Sequence, residues 1–579
     1  MWSECSQALL AKIIGELCFE QRLVPEPGYV LRFSDSVYRF SASRTAFDGW
    51  VVEPGSVFRA ASGILGDDVE EPCDDVQQFV VDACRHMGID GQTTAGWLSE
   101  ITSTLAADVA MASTAISVAE LTSLSHIELD GHLTGHPWLV ANKGRVGFSA
   151  SDVSRYAPES RTPIRLSWLA AHRGLAEFRG TSSSSEQSVV SEELDEATRH
   201  RFTETLREAG RDPAAYVWLP VHPWQLDHVV RTLWAPQLAS FGLVELGSSP
   251  DRYLPTQSVR TMSNVDRPSA AQVKLPLRIL NTAVYRGIPP HCSLSAPVVT
   301  QWMQGLWSND KLLTEWGTGL LGEYASVTVR HPHLSRAGDV PYQWLETLGC
   351  IWREPLAPHI GPGNTAWSLA AVLHTDPSGA PLVGEFIRLS GLSTSEWLAA
   401  LLRVLLRPLL HVLYTYGITV NPHGENVTIV CSDGVPVRAV IHDLVDDVNV
   451  SVERIPERGL EPDSHDRVLP RKHWNVLRQY LVDALLVGVF RPLELLTGQA
   501  NFWGMVRGEI EAYRKRHPHL AARMDAGTLL GPTFTRFPLN GYRLTLGYRD
   551  LAQRPPIPSA GEVPNPMHTA PAVAPLDGW

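Results

Sequence analysis

Residues 421–448 carry a histidine, acids and amides around two strand-like runs, a set of side chains that can bind a metal ion and phosphates. The runs are Val427 to Val430 and Val435 to Ile441, and a Ser-Asp-Gly turn signal separates them, so the segment predicts a β-hairpin. A hairpin brings its two ends together. We therefore expect Asn426 and Asp443 to lie about 5 Å apart if the register is simple.

An amide oxygen and a carboxylate oxygen at this spacing are hard ligands that suit Mg²⁺. Protein kinases hold their nucleotide metal with the same pair, one Asn and one Asp. His423 and Glu425 lie beside Asn426, and Asp446 and Asp447 follow shortly after the second run. The hairpin alone is equally consistent with polar caps on a surface element.

Residues 257–287 form a second polar region, with Arg, Lys and hydroxyl side chains in a chain that is acidic overall. From Val273 to Ile279 apolar and polar residues alternate, which predicts a half-buried strand with one basic face. Pro276 cannot donate to a ladder, so we expect the strand to lie at an edge or to kink there. Arg and Lys in this pattern bind phosphates or carboxylates, although a solvated face with salt bridges would look the same.

A third region, residues 135–159, is rich in Gly and Pro and reads as a loop that displays His136, Lys143, Arg145 and Glu159. A histidine next to proline is often a structural hydrogen-bonding group, and this alternative stays open for His136. His222, at what looks like a strand end, is interpreted as structural.

The whole chain has 579 residues, 44% of them hydrophobic, which predicts two or three domains. Its formal net charge of −13 argues against nucleic acid or an anionic membrane as a partner. The seven cysteines are scattered without a CxxC pair, so neither a disulfide framework nor a zinc or iron–sulfur site is indicated. A reducing cytoplasm fits this composition best.

The sequence predicts helix, loop or disorder for four further segments. The first 23 residues read as a packed helix and not as a signal peptide, because Glu4 stands where positive charge is needed. Residues 397–418 are too polar for a membrane span and predict a core helix that kinks near Pro408. Residues 181–193 read as a flexible loop, and the Pro-rich tail from about Pro555 is expected to be disordered.

Five motifs occur in a fixed order between about Gly135 and Asp447, namely GHPxxxxxKxRxGFS, LPVHPWQ, SxRT…KLPLxxxNTxxYR, HGEN and HDLVDD. Together they resemble the aerobactin-synthetase type of siderophore synthetase, the IucA/IucC family, which works without a non-ribosomal peptide template. The resemblance implies an α+β fold shaped as a cupped hand with a kinase-like palm. The implied domains are a mainly helical thumb (1–165), β-rich fingers (166–385) and a palm (386–579).

The resemblance also implies roles for individual residues in an enzyme that uses ATP and Mg²⁺ to adenylate a carboxylate, typically of citrate, before passing it to an amine or alcohol. The residues implied for ATP are Ser258, Arg260, Thr261, Lys274, Thr282, Arg286, His423, Glu425, Asn426 and Asp443. Those implied for the substrate carboxylate are His136, Lys143 and Arg286, those implied for Mg²⁺ are Asn426 and Asp443, and Lys274, Arg286 and His423 are the expected catalytic residues. A cytoplasmic homodimer is expected.

Two departures from the family pattern concern substrate choice. Many relatives have HGQN where this chain has Glu425, and many have a second His-Pro where this chain has Leu139 and Val140. The alternatives to a ligase are a kinase-like phosphotransferase, which the missing HRD aspartate disfavours, and a non-catalytic or reductive siderophore-binding protein.

Overall fold

Helices and strands are mixed throughout the computed structural model, which describes residues 1–61, 71–282, 284–445, 447–459, 461–462, 468–548, 551 and 559–576. The expected mixed class of helix and sheet is confirmed. The first 165 residues, expected to be mainly helical, contain a four-stranded sheet and a separate hairpin in addition to their helices. Residues 446 and 283, which lie inside segments considered above, are outside the described part.

The strands of the described residues are mostly short, and all of them belong to seven sheets. In chain order they are β1 (Val30–Arg32), β2 (Ser36–Arg39), β3 (Ala42–Thr45), β4 (Gly49–Val52), β5 (Phe58–Ala61), β6 (Glu71–Pro72), β7 (Ile164–His172), β8 (Ala176–Gly180), β9 (Tyr216–Val221), β10 (Leu243–Pro255), β11 (Thr261–Asn264), β12 (Gln272–Lys274), β13 (Leu277–Asn281), β14 (Val284–Arg286), β15 (Gly319–Leu320), β16 (Glu323–Val329), β17 (Gly349–Arg353), β18 (Asn364–Ser368), β19 (Ile418–Thr419), β20 (Val427–Ser432), β21 (Val435–Ile441), β22 (Asn449–Ser451), β23 (Arg471–Lys472), β24 (Thr533–Thr535) and β25 (Glu562–Pro564).

The α-helices of the described residues range from single turns to long core helices. In chain order they are α1 (Trp2–Phe19), α2 (Val76–His86), α3 (Gly91–Ser113), α4 (Val118–Leu121), α5 (His126–Asp130), α6 (Ala150–Tyr156), α7 (Glu186–Glu193), α8 (Glu196–Glu208), α9 (Pro223–Gln225), α10 (Arg231–Leu233), α11 (Ala235–Ala239), α12 (Pro290–Asn309), α13 (Lys311–Glu315), α14 (Tyr342–Leu345), α15 (Ala357–Ile360), α16 (Leu382–Ser390), α17 (Thr394–Tyr416), α18 (Trp474–Leu481), α19 (Arg491–Thr497), α20 (Phe502–Arg516), α21 (Ala521–Ala526), α22 (Leu539–Leu546) and α23 (Pro566–Thr569).

An eight-stranded sheet with the order β8-β16-β17-β12-β11-β10-β7-β9 occupies the middle of the chain. A four-stranded sheet with the order β15-β21-β20-β18 contains the predicted hairpin. Lys274, at the end of β12, contacts Asp443, just after β21, so the candidate site lies where these two sheets meet.

The long apolar helix α17 belongs to the protein core. Its first turn is capped by Ser393 and Glu396 in a reciprocal capping box, and it ends at Gly417 with a left-handed φ of 60°. It is the one described helix that is long and apolar enough to cross a membrane, yet 83% of its apolar window is buried inside the protein. The predicted core helix is therefore confirmed, and it continues through Pro408.

Two loop predictions need correction. Residues 181–193 were expected to form a flexible loop, but Ser185 caps helix α7, which occupies the second half of this segment. The tail was expected to be disordered from about Pro555, but residues 559–576 contain β25, which pairs with β24, and α23. Val563 and Met567 of this tail are almost completely buried, so packing orders a segment that has no periodicity of its own.

Candidate active site

The hairpin at residues 427–441 forms as the sequence predicts. β20 and β21 pair antiparallel with Val427 opposite Ile441, and the His442 amide donates to the Asn426 carbonyl at 3.1 Å. The turn residues Asp433 and Gly434 both have positive φ, as a two-residue type I′ hairpin turn requires. Asn426 and Asp443 are therefore held at the same end of the hairpin by its register.

The Asn426 side chain contacts a different aspartate from the one predicted. Its Nδ2 donates to Asp447 Oδ2 at 2.6 Å and to the Asn421 carbonyl at 3.2 Å. Asn421 Nδ2 also donates to Asp447 Oδ1 at 3.2 Å. Asp447 thus ties the start of the hairpin to the chain that follows it, a role that the spacing of the motif did not reveal.

Asp443 takes part in a buried cluster of four charges, formed by Lys274, Glu323, Arg353 and Asp443 and called here the ion cluster. Lys274 Nζ lies 2.5 Å from Asp443 Oδ1 and 3.6 Å from Glu323 Oε1. Arg353 Nη2 lies 3.1 Å from Glu323 Oε1 and 3.3 Å from Asp443 Oδ1. The cluster contains two cations and two anions, so its formal charges balance.

The charge balance of the ion cluster matters for stability because its side chains are largely buried. The side chains of Lys274 and Glu323 are 2% and 0% exposed, and that of Asp443 is 18% exposed. An unpaired charge at such a depth costs several kcal/mol, so each member needs the others. The predicted basic face of β12 is consequently not a solvated surface, because Lys274 lies inside the protein.

Pro276 divides the predicted strand in two. β12 ends at Lys274 and is an inner strand of the eight-stranded sheet, whereas β13 begins at Leu277 and pairs with β14 in a separate two-stranded sheet. Of the two alternatives considered for Pro276, the break in the strand is right, and the edge position is wrong for β12, which is an inner strand. Lys274 and Arg286 therefore stand on different sheets.

Three residues at the site have left-handed backbone conformations that side chains rarely adopt. Asp443 has a φ of 67°, Thr282 of 50° and the β-branched Val259 of 68°. Such conformations cost on the order of 1–3 kcal/mol each and tend to occur where the surroundings fix a functional geometry. Asp443 and Thr282 are both expected site residues, and Val259 lies between Ser258 and Arg260.

The segment Ser258–Thr261 is held by its own polar groups. The Thr261 amide donates to Ser258 Oγ at 3.2 Å, and Ser258 Oγ also lies 3.0 Å from Thr256 Oγ1. Arg260 is 7% exposed, and its guanidinium donates to the carbonyl of Gly287, the residue after Arg286. This contact links the two cationic segments that the sequence placed in one region.

His136 is a neutral hydrogen-bonding group. Its Nδ1 accepts from the amides of Trp138 and Leu139 at 3.2 and 3.1 Å, which leaves the proton on Nε2. Burial lowers its pKa to about 3, and the nearby charges of His423, Lys12 and Arg286 contribute in the same direction. His136 can thus offer a substrate one N–H donor, while Arg286 is the permanent charge beside it.

Residues from both ends of the chain hold the His136 loop. Lys12 Nζ, on α1, donates to the carbonyls of His136 and Leu139, and burial lowers its pKa to about 8. Asn540, at α22, accepts from the Val140 amide at 2.9 Å and donates to Glu20 Oε1 at 2.9 Å. Sequence reasoning missed Lys12 and Asn540, because neither lies in a motif.

Lys143, which was expected to bind the substrate carboxylate, makes its contacts within the protein. Its Nζ donates to Asp108 Oδ1 at 2.7 Å and to the Thr134 carbonyl at 2.6 Å, and the side chain is 3% exposed. These contacts suit a residue that shapes the loop around His136. Leu139 and Val140, which replace the second His-Pro of many relatives, are both buried.

His423 and Glu425 share a tight loop. His423 Nδ1 accepts from the Glu425 amide at 3.1 Å. Burial and the charge of Glu425 raise the pKa of Asp130, at the end of α5, to about 7. Glu425 therefore adds negative charge next to Asp130, at the edge of the site.

His222 has the structural role that we expected. It caps α9 by accepting from the Trp224 amide at 3.1 Å, and it is completely buried. Arg145 and Glu159 form a buried bidentate ion pair with each other. These residues support the fold around the site.

A cavity of about 640 Å³ opens on the side of the eight-stranded sheet that carries β8 and β16. Its wall includes Tyr324 and Glu354, the residues that follow Glu323 and Arg353 in sequence. None of the expected site residues lines it. The residues that the sequence analysis selected therefore lie outside this cavity.

The oxygen donors of the site fit a magnesium ion that arrives with phosphates. Within the described ranges, no group of three or more His, Cys, Asp or Glu side chains is placed to hold a metal by itself. Mg²⁺ commonly takes one or two carboxylates from the protein and completes its shell with phosphates and water. Asp443, Asn426 and Asp447 supply such oxygens.

Comparison with known proteins identifies the family. The chain is 36% identical over 580 residues to the rhizobactin siderophore biosynthesis protein RhbF of Rhizobium meliloti, covering 98% of this chain and 96% of that protein. The sequence model of the IucA / IucC family matches residues 125–374. The chain belongs to the IucA/IucC family.

Two solved structures of this family are similar to the whole chain. Aerobactin synthetase IucC from Klebsiella pneumoniae is 27% identical with a TM-score of 0.85, and the match covers 98% of each chain. ATP-bound aerobactin synthetase IucA from the same organism is 16% identical with a TM-score of 0.75, covering 97% of this chain and 99% of that one, which shows a shared fold. Membership of the IucA/IucC family makes the chain a siderophore synthetase, and hence a ligase.

Residues 395–553 also match the model of the ferric iron reductase FhuF-like transporter family. Cys431 is the only cysteine of that segment. It is buried in β20, and burial raises the pKa of its thiol well above the usual range. One inert thiol cannot hold a cysteine-ligated iron cluster, so this part of the IucA/IucC chain is not suited to that form of reduction.

Proposed function

We propose that the chain is an AMP-forming ligase, which uses ATP to adenylate a carboxylate of citrate or a related polycarboxylate and then transfers the acyl group to an amine or alcohol. The observation that carries the proposal is the contact between Lys274 and Asp443. It sets a phosphate-binding cation beside a carboxylate suited to Mg²⁺, in a member of a siderophore-synthetase family. The ATP bound to the similar aerobactin synthetase IucA supports ATP as a substrate.

Adenylation requires positive charge at the site before the reaction starts. The substrate carboxylate must attack the α-phosphorus in line with the departing pyrophosphate, so two anions approach each other. Arg260, Lys274 and Arg286 offset this repulsion with charges that are already in place, which is the preorganisation that lowers such barriers. Mg²⁺, held by Asn426 and Asp443, would add charge stabilisation when bound.

The remaining residues orient the substrates. Neutral His136 donates through Nε2 to a carboxylate oxygen, while Arg286 supplies the charge that attracts it. Ser258, Thr261 and Thr282 offer hydroxyls or amides near the phosphates, and His423 closes on them from the hairpin side. Lys143 supports the His136 loop from behind.

The proposed architecture follows from the family resemblance. Residues 1–165 form the thumb, 166–385 the fingers and 386–579 a kinase-like palm that holds the hairpin. The enzyme is proposed to be a cytoplasmic homodimer, which sedimentation of the purified protein would test.

The reaction class is tested by exchange of pyrophosphate into ATP, measured with citrate, succinate, 2-oxoglutarate and citryl monoamides. We expect exchange that depends on one of these acids, with AMP and pyrophosphate as products once an amine or alcohol is added. A preparation of Asp443→Asn serves as the control for contaminating activity. Formation of ADP in place of AMP would overturn the ligase proposal in favour of a phosphotransferase.

A further inference from the structure

The ion cluster contains two residues with no assigned role in the proposed reaction. Lys274 and Asp443 belong to the proposed ATP site, whereas Glu323 and Arg353 belong to no motif of the sequence. Glu323 is the first residue of β16 and Arg353 the last residue of β17, and the two are directly opposite each other in the sheet. Both residues are thus positioned near Lys274 by β-strands and not by a loop.

Asp443 Oδ1 has a cation on either side. Lys274 Nζ is 2.5 Å away and Arg353 Nη2 is 3.3 Å away. An ammonium group has three N–H donors, so a lysine that binds an incoming phosphate shares its charge between that phosphate and Asp443, and its hold on Asp443 weakens. Arg353 continues to contact Asp443, and its planar guanidinium suits a fixed carboxylate.

Glu323 fixes Arg353. It is completely buried, its Oε1 accepts from Arg353 Nη2 at 3.1 Å, and its Oε2 has no hydrogen-bond partner among the described residues. The same Oε1 lies 3.6 Å from Lys274 Nζ. A buried carboxylate with so few partners is costly and is retained only if the charges around it need it.

We propose that Arg353 and Glu323 are positioning residues for Asp443, which keep its carboxylate in place when Lys274 turns to the phosphates of ATP. The inference rests on the proposed function, since it concerns the residues proposed to hold Mg²⁺ and ATP. Arg353 and Glu323 would then act as outer-shell residues, which orient a metal ligand without binding the metal. Mutation of such residues typically reduces metal affinity or rate about 10–100-fold.

The test removes both charges at once, so that no buried ion is left alone. The double variant Glu323→Gln/Arg353→Met keeps the cluster neutral, because Lys274 and Asp443 remain paired. The matched control is Arg407→Met/Glu509→Gln, which removes another buried pair with contacts of 3.0 and 3.3 Å, between α17 and α20 and away from the site. Thermal unfolding establishes that each variant is folded.

Two measurements are made on each folded protein. Calorimetry gives the affinity for ATP with and without Mg²⁺, which does not depend on turnover, and pyrophosphate exchange gives the rate against Mg²⁺ concentration. In the site variant we expect the gain in ATP affinity due to Mg²⁺ to fall about tenfold and the half-saturating Mg²⁺ concentration to rise about tenfold. The control pair should leave both unchanged.

A site variant with the wild-type Mg²⁺ effect on ATP affinity would overturn the positioning role, even if its rate were reduced. An equal loss in the control variant would do the same, because the effect would then come from general destabilisation. If neither variant folds, the conservative change Arg353→Lys decides the matter, since it keeps the charge but loses the planar fork and should weaken the Mg²⁺ effect alone. Failure of the proposed function looks different, because the wild-type protein would then show no carboxylate-dependent exchange.

Discussion

The ammonium group of Lys274 is buried between two carboxylates. Its charge therefore stabilises the fold, in addition to the role that we propose for it in the reaction. The alternation of residues around it predicts a basic face but gives no sign of the acids, since Glu323 and Asp443 lie 49 and 169 residues further along the chain. The residue pattern of a strand predicts that strand, but it does not predict which residues from distant segments will contact it.

Lys274→Met should therefore affect two quantities. Loss of a charged contact to phosphate should reduce the exchange rate by a factor of about 10–100. The free energy of unfolding should also fall by about 3 kcal/mol, because two buried acids, Glu323 and Asp443, lose the charge of Lys274. Exchange kinetics and urea unfolding measure the two effects.

The control for this prediction is Lys311→Met, on α13. That lysine is 88% exposed on its side chain and makes only a 3.7 Å surface pair with Glu315, so its loss should change stability by less than about 0.5 kcal/mol. Wild-type exchange by folded Lys274→Met would contradict the phosphate role.

At the scale of elements, local signals predicted structure well where the segment itself determines it. The hairpin at 427–441 forms because β-branched residues flank a turn that tolerates positive φ. Two ordered segments were predicted to be disordered or flexible, namely residues 559–576 and the part of 181–193 that forms α7. Both predictions were wrong, because these segments are ordered by helix caps and by packing against distant parts of the chain. Pro276 was recognised as a disruption, but whether the chain continues at an edge or enters another sheet depends on neighbours that the sequence does not show.

The loop that carries His423 depends on close backbone contact at Gly424. Its carbonyl accepts from the Ala370 amide and from Ser368 Oγ, and a Cβ atom here would lie 2.9–3.1 Å from Ala370 atoms that include its backbone. Gly424→Ala should displace the loop, and a shift of about 1 Å at His423 should reduce the exchange rate by up to about 100-fold.

Gly305→Ala is the matched control for that loop prediction. Gly305 lies in α12 with open space around its Cβ direction, so alanine should be neutral or should stabilise the helix by up to about 1 kcal/mol. Unchanged kinetics in Gly424→Ala would show that the loop can absorb the methyl group.

A π-helical segment, Val482–Phe490, contains a carboxyl group that should make stability depend on pH. Asp483 accepts from Gln479 Nε2 at 2.8 Å, and burial raises its pKa to about 8. Because the folded protein holds this proton more tightly, the stabilisation is complete below the unfolded pKa near 4 and is lost as pH rises through about 8.

Asp483→Asn should remove part of this dependence. Between pH 5 and pH 8 the free energy of unfolding of the wild-type protein should fall by on the order of 3–4 kcal/mol more than that of the variant. Urea unfolding at the two pH values gives the comparison. Parallel losses in both proteins would assign the dependence to other buried acids, such as Glu193, whose pKa burial raises to about 7.

For the whole molecule, the tail should be needed for stability. Residues 559–576 pair β25 with β24, bury Val563 and Met567, and receive three hydrogen bonds from Arg507 Nη1 through carbonyls of residues 567–570. A chain ending at residue 558 should lose about 4 kcal/mol of stability, since two large side chains lose their burial. The melting temperature checks this.

Leu576→Ser is the control for the truncation. Leu576 is 62% exposed, so its replacement should leave the melting temperature unchanged. A truncated protein that melts with the full-length chain would mean that the tail lies on the surface without stabilising it.

The link between Asn540 and Glu20 has a consequence for biosynthesis. The two residues are 520 positions apart, and together with Lys12 they hold the loop of His136. At about 5–20 residues per second, roughly half a minute to two minutes pass between translation of Glu20 and translation of its partner. During that time Glu20 lacks its partner, and the loop of His136 is only partly held. The newly made chain should therefore stay inactive until its last tenth has left the ribosome.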